Sequence, residues 1–437
     1  MSSIFSTLLS TYKSWPVLSA FLASAEGGNL RVEDVSTAES PFALIRYVKG
    51  KSDMTNPVVR AFRSVVWDTM DNVPVSVTPF KSVDGECLPN TESMEGFLVE
   101  RFLDGVMVGA FYDKYADKWR IHTRSCLDAK TRFYSQNRTF AQLFEDAKVD
   151  WSKFDKTESL TFVLQHPENR IVVPCKEARA TLVQSVTCTT DGTVTFKNVP
   201  GLAVLSPGST WNQVWCRIRE FNDQFAHAFQ GFVVKDSTGR RWKMRTLEYN
   251  RVRKLRGNTA RRDYMWLDMW CDGTLKNYLN LFPEERLLSN ATIDKWKRAT
   301  AEVYHIYTDV FKARTLAKTA IPQKYRPLVY GLHKTYFDTL KPAGKTVDWK
   351  ATVAFMNARD VAQMLFVINW EVRNAGKPAI ALEPATAVGT EVLFLRGDDT
   401  DDDMPELVPV LDATMVAALT QTQTQPPVVT EELERVD

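Results

Sequence analysis

Short apolar runs separated by turn residues fill the chain between about residues 41 and 234. Each run is rich in Val, Ile, Phe, Tyr or Thr, a composition that favours β-strands. The nine runs are FALIRYV, RSVVWD, GVMVGAFY, KWRIHT, LTFVLQ, NRIVVP, TLVQSV, TVTFKNV and GFVVKD. No regular helical crossovers separate them, which disfavours a doubly wound parallel sheet. The pattern predicts antiparallel sheets with a few inserted helices.

Apolar residues at positions i, i+3, i+4 and i+7, the spacing of an amphipathic helix, mark the rest of the chain. Residues 4–23 show this spacing with an interruption at Pro16, and inserted helices are predicted at 137–149 and 210–229. Beyond about residue 246 the helical segments are LKNYLNLF, TIDKWKRATAEVYHIYTDVFKA, LVYGLHKTYFDTL and WKATVAFMNARDVAQMLFVINWEVRNA. The run from Asn374 to Pro378 is typical of a helix end.

These patterns predict an α+β protein, and its 437 residues suggest two or three domains. We expect an antiparallel-sheet domain at 1–250, an all-helical domain at 251–380 and an acidic low-complexity tail at 381–437. The tail has a single aromatic residue, Phe394, and contains the sequence TQTQTQPP. Such a segment buries too little surface to offset its chain entropy, so we expect it to be disordered.

Three classes of protein are not expected from this sequence. No stretch of about 18 uninterrupted apolar residues is present, so no membrane span is expected. The first 24 residues lack the features of a signal or transit peptide, which makes the cytosol the default location. The six Cys and five His form no CxxC, HxxxH or HExxH spacing, so no metal site is expected and the thiols are expected to be reduced.

Charge is distributed unevenly along the chain, although the net charge is only +2. Residues 381–437 contain 13 acids and 2 bases, whereas residues 1–380 contain 53 bases and 40 acids. A basic body with an acidic tail indicates a polyanionic partner for which the tail competes. The alternative is that both ends are simply solvated.

The segment from 240 to 262 concentrates ten Lys or Arg residues against one acid, Glu248, with Trp242 and Tyr249 between them. Cations for phosphates and rings for base stacking are what a single-stranded nucleic-acid surface needs. The alternative is a solvated helix face. The candidate RNA-binding residues are Arg240, Arg241, Arg251, Arg253, Lys254 and Arg256.

Six motifs, taken in chain order from the N-terminal helix to about Asn374, resemble those of the ATP-dependent RNA ligases of the bacteriophage T4 RNA ligase 1 type. These are NPVVRAFRSVVWD, PFKSVDGE, FLVERFLDGVMVGAFYDKYADKWRIHTRS, LTFVLQHPENRIVVP, QGFVVKD and RWKMRT. The family consists of covalent nucleotidyltransferases with an adenylation domain followed by a helical domain that helps to select RNA. The resemblance implies nucleotide-site positions at Arg63, Lys81, Glu86, Asp104, Gly105, Gln165, Gln230, Lys235, Lys243 and Arg245.

The chain departs from the family pattern at the groups that perform the chemistry. The family's nucleophilic Lys, in K-x-D-G, is replaced by Phe102, or by Arg101 if the alignment shifts by one residue. Phe offers no nucleophile, and the guanidinium of Arg stays protonated. The Glu residues of motifs III and IV are replaced by Gln165 and Gln230, which bring no negative charge to Mg²⁺.

The resemblance and these departures favour a degenerate RNA ligase that binds RNA or a nucleotide without forming lysyl-AMP. Two alternatives stay open. The first is an active RNA ligase or RNA-repair enzyme that uses an unusual nucleophile (Lys81, then Lys235) or pre-adenylylated RNA. The second is a viral or ribonucleoprotein assembly protein, located in a virion or viral factory. No catalytic residue, metal or cofactor is assigned, and ATP and Mg²⁺ would be required only if activity remains.

Overall fold

The computed structural model describes residues 4–85, 96–132, 138–204, 210–257, 259 and 261–375. The predicted tail at 381–437 and Glu86 lie outside the described residues. Within these ranges the chain is α+β, with sheets before residue 246 and helices after it, which confirms the predicted fold class. It divides into two compact units between Lys254 and Leu255.

Thirteen strands lie in the described part of the first unit. They are β1 (Arg31–Asp34), β2 (Phe42–Arg46), β3 (Val65–Asp68), β4 (Val73–Val77), β5 (Val83–Asp84), β6 (Phe97–Arg101), β7 (Val106–Asp113), β8 (Lys118–His122), β9 (Glu158–Gln165), β10 (Arg179–Cys188), β11 (Val194–Lys197), β12 (Gly231–Asp236) and β13 (Arg241–Arg245).

The strands form three sheets, with orders β1-β2-β3-β4, β11-β10-β9-β7-β8 and β5-β13-β12-β6. All pairings are antiparallel except that of β5 with β13. We call the sheet with the order β5-β13-β12-β6 the third sheet. Its strands come from two separate stretches of the sequence, 83–101 and 231–245, so the fold brings the segment around residue 100 next to the segment around residue 240.

Thirteen α-helices are described. They are α1 (Ile4–Thr11), α2 (Trp15–Ala23), α3 (Pro57–Ala61), α4 (Phe140–Glu145), α5 (Trp211–Phe225), α6 (Leu247–Arg256), α7 (Arg262–Cys271), α8 (Leu275–Leu281), α9 (Arg286–Tyr307), α10 (Arg326–Thr335), α11 (Trp349–Asn357), α12 (Val361–Ile368) and α13 (Trp370–Asn374). Two of them, α4 and α5, start with complete capping boxes, Thr139 with Gln142 and Thr210 with Gln213. These two are the inserted helices that the sequence predicts.

Two of the predicted elements are wrong. The run NRIVVP is not a strand, because the backbone N–H groups of Val172 and Val173 donate to the Asp104 carboxylate instead of a neighbouring strand. The last apolar segment is three helices rather than one. Asp360 accepts a hydrogen bond from the N–H of Ala362 and starts a new helix there, so α11 and α12 are bent by 109°.

No single described helix is long and apolar enough to cross a membrane, although the bent pair α11 and α12 matches a span in combined length and composition.

Candidate functional site

Strand β13 places its three cations on one face of the third sheet. Side chains alternate along a strand, so Arg241, Lys243 and Arg245 lie on one face and Trp242 and Met244 on the other. The two apolar side chains pack into a core beneath helix α5. The cations are thereby fixed on the face away from that helix, which we call the cationic face.

The neighbouring strands add one cation, Lys235, and two acids, Glu100 and Asp84, to this face; Asp84 of β5 lies opposite Lys243. Register pairs Lys235 of β12 with Arg241, and Val233 with both Lys243 and Glu100 of β6. Lys235 Nζ lies 2.5 Å from Glu100 Oε2 and donates a second bond, of 2.9 Å, to the carbonyl oxygen of Val183. Two sheets and three strands therefore hold this amine in place.

Burial lowers the basicity of the cations on this face. It lowers the pKa of Lys235 to about 8, an effect that the Glu100 carboxylate partly opposes. Burial, together with the nearby Arg63 guanidinium, lowers the pKa of Arg241 to about 10. Both side chains stay predominantly protonated at pH 7, so the interior of this unit carries positive charge.

Arg241 has a buried donor without an acceptor. The residue is 6% exposed, and its Nε has no hydrogen-bond partner among the described residues. A buried donor left unsatisfied costs about 1–3 kcal/mol, and more when it belongs to a charged group. This is the arrangement expected of a site that is completed by an anion.

A small cavity lies beside the Arg241 side chain. Glu100, Phe102 and Arg241 line it from the third sheet, and Val163 and Val183 line it from the second sheet. Its volume of about 10 Å³ holds roughly one water molecule. The sheets therefore meet closely here, and a phosphate group enters only if side chains move.

Phe102 stands where the resemblance places the nucleophilic lysine. Its backbone N–H donates to the carbonyl of Gly231 at 2.9 Å, and the guanidinium carbon of Arg245 lies 5.4 Å from its ring centroid. This cation–π contact fills the position with an unreactive ring. The alternative position, Arg101, is exposed and also reaches the cavity.

Asp104 and Gly105 hold the backbone together. The Asp104 carboxylate accepts hydrogen bonds from the N–H groups of Val172 and Val173, at 2.9 and 2.8 Å, and from the Tyr249 hydroxyl at 2.7 Å. All three partners are protein groups. Gly105 passes so close to β9 that a Cβ there would lie 2.5 Å from the carbonyl oxygen of Leu164. Asp104 and Gly105 thus stabilise the packing of their segment against β9, Tyr249 and the backbone at Val172 and Val173.

The residues present do not fit Mg²⁺ well. Among the described residues no three His, Cys, Asp or Glu side chains form a group that could hold a metal ion. Gln165 ends β9 half-buried, and Gln230 is 5% exposed with its Oε1 unpartnered among the described residues. Their amide oxygens are neutral, and Glu100, the carboxylate beside the cavity, is already paired with Lys235.

The remaining nucleotide-site candidates lie in different surroundings. Lys243 Nζ is 3.6 Å from the exposed Asp84 carboxylate of β5, and its own side chain is 1% exposed. Arg63 donates to the Met107 sulfur, which also lines the cavity. Lys81 Nζ lies 5.9 Å from the ring centroid of Tyr47. Arg63 and Lys243 therefore share the interior with Arg241, and no described contact joins Lys81 to them.

The predicted RNA-binding segment at 240–262 is not one exposed surface. Two of the predicted RNA-binding residues, Arg241 and Arg256, are buried, with 6% and 8% exposure. Both predicted stacking rings are buried as well, Trp242 in the core beneath α5 and Tyr249 against Asp104. Alternation in β13 and the packing of α6 turn half of the segment inward, and RNA binding by the segment stays a prediction.

The exposed cations of this segment are partly neutralised by nearby acids. Arg240 lies 2.6 Å from Asp236, and Arg251 lies 2.9 Å from Glu248. Lys254 is exposed, and Arg253 is half-buried. Counting charges along the sequence overestimated the free positive charge here, because Asp236 precedes the counted segment.

Glu100 is the residue that the sequence analysis missed. Its signal was present, because it lies two residues after Leu98 in β6 and therefore on the same face of the strand. What the sequence did not indicate was the pairing of β6 with β12, more than 130 positions away.

A scan of protein-family models and a search of curated proteins find no match to this chain. Several solved structures show distant similarity to this chain. An archaeal ATP-dependent RNA ligase in its form 1 has a TM-score of 0.36 and 12% identity, covering 84% of this chain and 98% of its own. Its form 2 has a TM-score of 0.35 and 10% identity, covering 85% and 83%. A putative ATP-dependent DNA ligase from Aquifex aeolicus has a TM-score of 0.33 and 14% identity, covering 74% and 80%.

These overlaps are too distant to assign a function. None of the three structures is described as a bacteriophage enzyme, so the specific T4 RNA ligase 1 type stays a prediction from the motifs.

Proposed function

We propose that this protein binds the phosphates of a nucleotide or an RNA end on the cationic face and does not form lysyl-AMP. The observation that carries the proposal is Arg241, a buried guanidinium whose Nε has no partner among the described residues and which lines a cavity. A planar guanidinium is suited to phosphate, since its fork of N–H donors matches two oxygens.

The surroundings of Arg241 favour an anion. Arg63 lies close enough to lower the pKa of Arg241, and Lys235 lies directly opposite Arg241 in the register of β12 and β13. Among the described residues that line the cavity, Glu100 is the one carboxylate, and it already accepts a bond from Lys235. A bound phosphate would offset the cost of keeping these cations out of water.

Absence of lysyl-AMP chemistry follows from the groups at the site. Phe102 has no lone pair, and the two amines on this face are paired: Lys235 with Glu100 and the carbonyl of Val183, and Lys243 with Asp84. Gln165 and Gln230 do not supply negative charge for Mg²⁺. Anion binding is thus retained while the nucleophile and the metal ligands are lost.

Binding requires the cavity to enlarge, because its volume of about 10 Å³ holds only one water molecule. The Phe102 ring is half-buried and is the largest side chain on the cavity wall. We therefore assign to Phe102 the role of a plug that moves when a phosphate enters.

Lys235 favours a second candidate function, that of an active ligase with a relocated nucleophile. Its pKa of about 8 leaves a fraction of neutral amine at neutral pH. In that case Nζ would attack the α-phosphorus of ATP, the bond to the β-phosphate oxygen would break, pyrophosphate would leave with the electron pair, and Glu100 would accept the amine proton.

Incubation of the full chain with α-labelled ATP and Mg²⁺ separates the two candidates. The proposal expects label retained in native filter binding and lost on a denaturing gel. Label that survives denaturation and is released by pyrophosphate would contradict it. Such label should disappear in Lys235→Arg if Lys235 is the nucleophile. No retention of ATP or of a 5′-phosphorylated oligoribonucleotide would refute phosphate binding and favour the assembly-protein alternative.

A further inference from the structure

The ends of α9 and α10 carry a cluster of aromatic rings in the helical unit. The His333 ring stacks on Phe311 with centroids 3.6 Å apart and an interplanar angle of 14°. Phe337 lies edge-on to His333 at 4.9 Å, and Tyr330 approaches Phe311 at 6.4 Å. Tyr330 and Phe337 are 41% and 49% exposed, so this cluster reaches the surface.

Cations border the rings on several sides. Lys318 Nζ lies 5.6 Å from the Phe311 centroid and Lys341 Nζ lies 5.1 Å from the Phe337 centroid. Lys334 is exposed and follows His333 directly. We call this set the aromatic–lysine surface. It consists of Phe311, Tyr330, His333, Phe337, Lys318, Lys334 and Lys341.

The positive charge of this surface is not balanced locally. Residues 308–345 contain eight Lys or Arg and two acids, a net charge of +6. Lys324, outside the surface, pairs with Glu371 at 3.0 Å. Within the described part of the chain, no ion pair involves Lys318, Lys334 or Lys341. Exposed rings bordered by unbalanced cations indicate a surface that binds an acidic partner with apolar groups.

Local helix geometry sets this surface apart. Both helices continue into single π-helical turns, at Thr308–Lys312 and Tyr336–Leu340. Such turns are rare and occur often at functional positions. Phe311 and Phe337 both lie in these turns.

We propose that the aromatic–lysine surface is the docking site of residues 391–411 of this same chain. This segment holds seven acids and one base, with an acidic run at 398–403 between the apolar runs VLFL and LVPVL. Its acids complement the lysines, and its apolar runs complement the rings. In the docked state the acids would lie beside the lysines, and the apolar side chains would pack against the rings.

The point at which the described chain ends makes this contact accessible. Helix α13 lies beside the start of α10, because Glu371 pairs with Lys324, two residues before Arg326. Helix α10 has ten residues and a length of about 15 Å. The 23 residues that follow Ala375, up to Asp398, reach up to roughly 75 Å when extended, more than this span requires. Tethering also raises the local concentration of the segment to about millimolar.

The inference does not depend on phosphate binding at the cationic face, because that face and this surface belong to different units. Its consequence is regulatory: the docked segment would cover the surface against other polyanions, and high salt would release it.

Zero-length carbodiimide cross-linking of the full chain, followed by peptide mass spectrometry, tests the inference. We expect cross-links from Asp398–Asp403 or Glu406 to Lys318, Lys334 and Lys341, about tenfold more abundant than those to Lys276 and Lys295. The last two are exposed lysines of the same unit, outside the surface. The cross-links should fall steeply in about 1 M salt, where the Debye length is about 3 Å.

Two variants make the test sharper. Lys318→Glu with Lys341→Glu should remove the cross-links to the remaining Lys334, and Asn in place of the five Asp residues at 398–403 should do the same without altering the surface. Far-UV circular dichroism checks the fold of each.

Four results would overturn the inference. These are equal cross-linking of control lysines, cross-links insensitive to salt, cross-links found only between two copies of the chain, and no tail cross-links although an added oligoribonucleotide protects the three lysines. The last result would assign the surface to an external nucleic acid.

Discussion

Lys235 Nζ lies 2.5 Å from Glu100 Oε2 in the interior of the first unit, with Arg241 beside them across the strand pair. Two carboxylates, Glu100 and the exposed Asp84, therefore serve a face that carries four cations, Lys235, Arg241, Lys243 and Arg245. Breaking a buried pair leaves an uncompensated charge and costs about 3–5 kcal/mol.

The change Glu100→Gln should have opposite effects on stability and on binding. The free energy of unfolding should fall by about 3 kcal/mol, since Lys235 loses its partner. The affinity for ATP should rise several-fold, since a negative charge that repels the phosphates is removed from the cationic face. Urea unfolding and calorimetric titration measure the two quantities. A loss of both would contradict the assignment of this face as an anion site.

Phe102 should limit access to the site. Phe102→Ala removes the ring that fills the cavity and should raise ATP affinity, while Phe102→Leu, which keeps most of the volume, should resemble the wild type. Fluorescence anisotropy with a labelled ATP analogue is suitable. Equal affinities of all three proteins would show that the ring is not a plug.

Restoring the lysine alone should not restore ligation. Phe102→Lys places an amine next to Arg245, and Gln165 and Gln230 still leave Mg²⁺ without charged ligands. The triple variant that adds Gln165→Glu and Gln230→Glu should exceed the single variant in label transfer from ATP. Equal label transfer would mean that charge at these two positions is unimportant.

Asp104 should contribute to stability rather than to binding. Asp104→Asn weakens the bonds to the N–H groups of Val172 and Val173 and should cost about 2–3 kcal/mol, while Tyr249→Phe should cost about 1–2 kcal/mol. Because the two side chains share a hydrogen bond, the double variant should lose less than the sum. Thermal unfolding of the wild type, the two single variants and the double variant measures this double-mutant cycle. Fully additive losses of stability would contradict the shared hydrogen bond.

His122 should make the fold sensitive to acid. It is fully buried between the hydroxyls of Ser64 and Ser76, at 3.1 and 2.8 Å, and burial lowers its pKa from 6.5 to about 4. Between these pH values the unfolded chain binds a proton that the folded chain does not, so stability falls as pH falls. The shift corresponds to roughly 3 kcal/mol.

Urea unfolding between pH 4 and pH 7 checks this effect. His122→Gln should reduce the pH dependence in this window by about one proton, whereas the same change at exposed His305 should not. An unchanged slope in His122→Gln would show that this histidine is not the group responsible.

The sequence predicted the fold class because the strand and helix periods change clearly near residue 246. It placed Lys243 and Arg245 in the nucleotide site and Arg241 among the RNA-binding residues. Their interior position could not be predicted from the alternation in RWKMR alone, because it depends on which strands pair with β13. The apolar composition of NRIVVP predicts a strand, because composition does not show that Asp104 accepts the N–H groups of Val172 and Val173. Glu100 was missed because its partner, Lys235, lies far away in the sequence.

The most direct test of phosphate binding at the cationic face compares two adjacent arginines by calorimetric titration with ATP. Arg241 is buried beside the cavity, and Arg240 is exposed and paired with Asp236. Arg241→Met should weaken binding tenfold or more, about 1.4 kcal/mol, and Arg240→Met should change it by less than about twofold. Equal losses in the two variants, or an unchanged affinity in Arg241→Met with the fold intact, would contradict the proposed site.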